Sequence, residues 1–135
     1  MMTPTVATIR IALHVLAATI WVGGQFTLAG LLPVLRQHEG AAKQAAQAFN
    51  RLAWPAFAVL VVTGMWNLAD IDITAASNSY QITVFIKIAV AIAAGVATAA
   101  HIAARPKLML ALGGALGALC SVAAVFLGVL LHTGK

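Results

Sequence analysis

The chain has 135 residues, 62% of them hydrophobic and 8% charged, with a mean hydropathy of +0.99. Soluble domains carry about 25% charged and about 45–50% apolar residues, so there is too little charge here to coat a water-facing surface, and disordered or coiled-coil chains are excluded on the same ground. The net charge of +5 comes from Lys and Arg residues scattered at the ends of apolar runs, a pattern that sets membrane topology rather than one that tracks nucleic acid, and the single cysteine, Cys120, leaves no internal disulfide and no CxxC motif.

A membrane-spanning helix needs about 20 largely apolar residues, and four segments qualify. They are residues 5–35, 52–69, 80–104 and 108–132. The first run is too long for a cleavable signal and no small-x-small site follows it. Pro33 marks its end. Between the first two spans, residues 41–51 put Lys43, Gln47 and Asn50 on one face and Ala42, Ala45, Ala46 and Phe49 on the other, which predicts an amphipathic surface helix. Pro55 then starts or kinks the second span, and Pro106 ends the third. The expected fold is an all-α, integral membrane four-helix bundle forming one domain over residues 1–135.

Basic residues orient the spans. The first connection carries Arg36, Lys43 and Arg51 and the third carries Arg105 and Lys107, while the second has only Asp70 and Asp72. Connections one and three are therefore expected inside, with both termini outside; Arg10 and Lys135 count against this. Trp54 then falls at the inner interface, and Trp66 and Tyr80 at the outer one. The run Ile9-Arg10-Ile11-Ala12-Leu13 is echoed by Ile86-Lys87-Ile88-Ala89-Val90, the trace of a two-helix repeat.

Ionisable groups inside spans usually face protein rather than lipid and are default functional candidates. At 100° per residue, Arg10, His14, Trp21 and Gln25 share an arc of roughly 60° on the first span. Thr83, Lys87, Thr98, His101 and Arg105 share a similar arc on the third. The two stripes are expected to face a common interior. By depth, His14, Lys87, His132 and Met65 fall toward the outer side, and His101, with His38 and Met109, toward the inner side. Each has a plain structural alternative: a histidine bonded to a carbonyl, Lys87 snorkelling or paired with Asp70 or Asp72, methionines and Cys120 as packing. Gly23-Gly24 with Thr27 and Gly30, and Gly113-x3-Gly117 continuing to Ser121, are small-residue patterns that allow close helix approach, within the chain or in a homodimer.

The order of these features resembles the membrane domain of the copper-resistance protein D (CopD) family. The resemblance is carried by His14 followed by Trp21-Val22-Gly23-Gly24, Pro33 and Arg36, then Phe49-Asn50-Arg51 leading to Thr63-Gly64, then Lys87 within Phe85-Ile86-Lys87-Ile88, over about residues 10–105. It implies copper uptake or resistance at the bacterial inner membrane, beside a periplasmic copper protein, with His14 the first residue to carry the role over. Cu(I) prefers soft and imidazole ligands, so the expected copper ligands are His14 with His132 and Met65 on the outer side, and His101 toward the cytoplasmic exit.

Leu13-His14, Trp21 and Lys87 are also similar to the four-span membrane protoporphyrinogen oxidases, although Leu32-Pro33-Val34 stands where that family has Leu-Pro-Arg. That resemblance implies haem b, with His14 as axial ligand and Lys87 or Arg10 neutralising the propionates, acting in electron transfer or tetrapyrrole oxidation. A third reading is a non-catalytic accessory subunit of a membrane complex. No P-loop or catalytic side-chain set is present in the sequence, so copper handling would not be driven by nucleotide hydrolysis in this chain.

Overall fold

The computed structural model describes residues 3–134; Lys135, counted above among the topology charges, lies outside them. Among the described residues every regular element is helical. Four helical stretches of 30, 29, 26 and 27 residues are long and apolar enough to cross a membrane, which makes this a multi-pass membrane protein. The helices fall into two compact units, one up to Ile71 and one from Asp72.

The first unit opens with α1, Val6–Ala18. Thr5 caps it: its hydroxyl accepts from the Thr8 N–H at 3.2 Å, and the Thr8 hydroxyl accepts from the Thr5 N–H in return. The first span is not one uniform helix. Thr19–Gly23 form a π-helical turn, and α2 continues as Gly24–Leu35. The flanking hydroxyls bond back to the backbone, Thr19 to the Leu16 carbonyl at 2.7 Å and Thr27 to the Gly23 carbonyl at 2.8 Å, satisfying groups that hydrocarbon cannot.

Gly40, with φ +75°, makes the left-handed step into α3, Ala41–Ala69. The predicted amphipathic segment is thus the first three turns of a single helix about 43 Å long at 1.5 Å per residue, and Pro55 lies inside it rather than at its start. Its Phe49 ring occupies the space beside Gly24 on α2. Further along, Trp21 packs against Phe57 at 4.5 Å and Trp54 at 5.6 Å between ring centroids. Ala17, Trp21, Ala53, Ala56 and Thr63 are buried.

The second unit is a two-helix hairpin. The Asp72 carboxylate accepts from the Thr74 hydroxyl at 2.6 Å and from the Thr74 and Ala75 amides, which holds its carboxyl below the usual carboxylate range. Ser77 caps α4, Asn78–Ala103. Pro106 cannot continue α4 and instead stands as the first cap of α5, Lys107–Thr133; Arg105 therefore sits in the connection, outside the helical stripe predicted for it. The seam between α4 and α5 is built from small residues: Ala94, Gly95, Gly117 and Ser121 are all buried. A Cβ at Gly113 would stand 3.0 Å from His101 Cα, and one at Gly117 2.8 Å from Thr98 Oγ1. The Gly113-x3-Gly117 pattern is used here for packing within the chain.

Candidate functional site

In the first unit the polar side chains of α1 meet those of α3 in a short ladder. Antiparallel helices bring the first turns of α1 beside the last turns of α3, so Arg10 and His14 face Thr63, Trp66 and Asp70. The Arg10 guanidinium donates from Nη2 to Asp70 Oδ2 at 2.7 Å and lies 5.7 Å from the Trp66 ring centroid. Arg10 is 7% exposed, whereas the Asp70 side chain is 58% exposed at the end of α3. The hydrogen bond from Arg10, and then its charge, hold the Asp70 carboxyl below its ordinary range. The Nε of Arg10 is buried and has no acceptor.

One turn deeper, His14 Nδ1 lies 2.7 Å from Thr63 Oγ1. Thr63 has a single proton to give, and its hydroxyl lies 2.6 Å from the Val59 carbonyl, which can only accept. The Thr63 oxygen is therefore the acceptor from His14, and Nδ1 carries the imidazole proton. In a neutral imidazole with its proton on Nδ1, Nε2 is the atom that ligates a metal or takes a proton. Sequence spacing singled out Arg10 and His14 but not Thr63, whose hydroxyl reads as an ordinary small polar residue until the helix pairing is known. Met65 is two residues beyond Thr63, about 200° around the helix, and is 67% exposed.

The second unit holds the other three candidates. The Lys87 amine is partly buried and faces Gly128: a Cβ there would lie 3.3 Å from Nζ. His132 is exposed in the last turn of α5, one turn or about 6 Å beyond Gly128. His101 is at the opposite end of the hairpin, donating from Nδ1 to the Leu110 carbonyl at 2.6 Å and packed on Gly113 and Gly114. A carbonyl only accepts, so this ring too has its proton on Nδ1. Leu110 and His132 are 22 residues apart along α5, about 33 Å, so His101 and His132 do not meet. Among the described residues no group of three or more His, Cys, Asp or Glu side chains is gathered that could hold a metal ion. The sequence offered Asp70 and Asp72 as partners for Lys87; Asp70 is bonded to Arg10 and Asp72 to its own turn.

Comparison with protein-family models, with curated proteins and with solved structures finds no match for this chain.

Proposed function

We propose that this chain is a copper-handling protein of the bacterial inner membrane, with both termini outside, and that the His14 imidazole takes the ion. The observation that carries the reading is the His14–Thr63–Val59 relay, which fixes a proton on Nδ1 and sets the orientation of the imidazole ring. Imidazole suits copper, and an imidazole set in a membrane helix and oriented by its neighbour is a functional feature by default. His101, oriented in the same way by the Leu110 carbonyl, is the second station toward the cytoplasmic side. His132 and Met65, both exposed, supply an imidazole and a thioether on the outer side. The basic residues flanking the α2–α3 turn (Arg36, Lys43 and Arg51) and of the α4–α5 connection (Arg105 and Lys107) support the orientation. A periplasmic copper protein is the donor or acceptor this orientation calls for. Gly23 and Gly30, which have open space beside them, are the glycine surface offered to a second copy.

Copper measured on detergent-purified protein tests the site. His14→Ala is expected to remove the bound copper while helix content by circular dichroism is retained. Thr63→Val, which keeps the shape but loses the acceptor, lowers copper affinity about 10–100-fold, the range found when a ligand's orienting partner is removed. Copper binding unchanged in His14→Ala overturns the assignment.

One observation favours haem b as a second reading. Arg10 lies one turn from His14 on the same face, buried, with an Nε donor that lacks an acceptor, which suits a propionate carboxylate. In that reading His14 would hold the haem iron and Arg10 a propionate, and haem would supply one-electron redox chemistry when bound. An intense Soret band in the purified protein, lost in His14→Ala, selects it over copper.

A further inference from the structure

Arg10 is held by half of the contact its geometry offers. The Nε and Nη2 donors of a guanidinium lie along one edge, the edge that takes a carboxylate or phosphate side-on through two parallel bonds. Asp70 accepts from Nη2 alone, and Nε is left buried without an acceptor. A buried donor left without an acceptor is costly, because it has given up water and gained nothing in return. The partner that leaves it so is not locked in place. Asp70 follows the last residue of α3, its side chain is mostly exposed, and water can receive it.

Trp66, which Arg10 overlies, also lines an apolar groove, a cavity of about 340 Å³ that it walls with Leu13, Ala58, Val59, Val62 and Thr63. At about 30 Å³ of liquid per water molecule, that is room for roughly ten waters, or for a run of hydrocarbon. An oxyanion donor edge, a tryptophan and an apolar trough in sequence from helix end to helix middle match the order of parts in a lipid: phosphate, interfacial region, acyl chain.

We infer that Arg10, Trp66 and the groove along Leu13, Val59 and Val62 bind one anionic phospholipid, its phosphate side-on to Arg10 Nε and Nη2 in place of the Asp70 carboxylate and its acyl chain in the groove. The exchange replaces one anion by another at the buried cation, so the guanidinium is never left uncompensated. It also satisfies the orphaned Nε, which Asp70 does not. Asp70 is then a competitor for the site rather than part of it. The inference does not rest on the metal reading, since neither the Arg10 donor edge nor the groove lining includes His14.

Phosphatidylglycerol retained by the detergent-purified protein, counted by native mass spectrometry and titrated by thermal shift, is the test. Phosphatidylglycerol is expected to bind at least about tenfold more tightly than phosphatidylcholine, and inorganic phosphate alone not to reproduce it. Arg10→Gln weakens phosphatidylglycerol about tenfold or more. Val62→Trp fills the groove and weakens it with the Arg10–Asp70 pair intact, which keeps the test decisive if Arg10→Gln fails to fold. Asp70→Asn strengthens binding several-fold. Three results overturn the proposal: phosphatidylglycerol binding that ignores Arg10→Gln and Val62→Trp, Asp70→Asn weakening it as Arg10→Gln does, or inorganic phosphate or phosphatidylcholine binding equally well.

Discussion

The two helical units join their helices by opposite means. In the first, long side chains reach across: Arg10 to Asp70, His14 to Thr63, and a cluster of Trp21, Trp54 and Phe57 rings. In the second, α4 and α5 come so close at Gly113 and Gly117 that a methyl group would collide with His101 and Thr98. Lipid tails are as apolar as leucine, so helices in a membrane gain little from hiding apolar faces on each other and must use polar bonds or tight packing. The first unit relies mainly on side-chain bonds and ring packing, the second mainly on close approach, with the His101–Leu110 bond added at one end of its hairpin. The polar contacts set His14 and Arg10 inside the first unit, which suits it to carry the His14 site.

The molecule contains separate reporters for the two. All three tryptophans, Trp21, Trp54 and Trp66, belong to the first unit and Cys120 to the second. Tryptophan emission therefore reads one, and the rate of Cys120 alkylation reads the other. The largest effect is expected from Gly113→Leu, because the atoms in its way include the backbone nitrogen and Cα of His101, which cannot swing aside. Overpacking of this kind costs about 1–3 kcal/mol, and Gly113→Leu should lie at the upper end. Faster alkylation of Cys120 with unchanged tryptophan emission is the predicted signature; a shift in tryptophan emission of equal size would erase the distinction between the units.

Removing Asp70 comes next. Asp70→Leu strands the buried Arg10 charge, whereas Arg10→Leu leaves behind a carboxylate that water already reaches. The melting temperature should fall further in Asp70→Leu than in Arg10→Leu, and the double variant should recover part of the loss. Both single variants should move Trp66 emission and leave Cys120 alkylation alone. Equal losses in the two single variants would mean that burial of Arg10 does not govern the pair.

Much of this was written in the order of residues, and some of it was not. Four apolar runs bounded by Pro33, Pro106 and the charged connections identify the four spans, since length and hydropathy alone decide whether a segment can cross hydrocarbon. The start of the second helix is harder: residues 41–51 look amphipathic and Pro55 looks like a boundary, yet a proline in the middle of a helix leaves only one carbonyl without its backbone donor, and α3 runs on through it. The π turn at Thr19–Gly23 left no compositional mark, because one extra residue in a turn changes hydrogen bonding and not hydropathy. Arg10 and His14 stood out as polar residues in an apolar run. Their partners are marked in the sequence only for other reasons, Thr63 in the Thr63-Gly64 pair and Asp70 as an acid offered to Lys87. Thr63 and Asp70 are ordinary residues for a helix interior and a helix end, and only the antiparallel pairing of α1 with α3 gives them roles.

The smallest effect expected is on the pH dependence of the first unit, and its sign follows from Asp70. The Arg10 hydrogen bond, and then the Arg10 charge, lower the folded-state pKa of Asp70 below its unfolded value. A group lowered in this way contributes stability above the unfolded pKa, and that contribution is lost as pH falls through the folded one. The melting temperature should be level from pH 8 to 5 as far as this group is concerned and should begin to fall below about pH 4, the ordinary aspartate range. Because Asp70 is exposed, the drop is small, and it should shrink further in high salt. Asp72 is lowered too, by its bonds to Thr74 and Ala75, so the acid slope has two sources, one in each unit. Asp70→Asn should remove the part seen in tryptophan emission, and Asp72→Asn the part seen in Cys120 alkylation. If either substitution flattened both signals, acid would be acting on the molecule as a whole, and the separation of the units by their means of joining would fail at its most sensitive point.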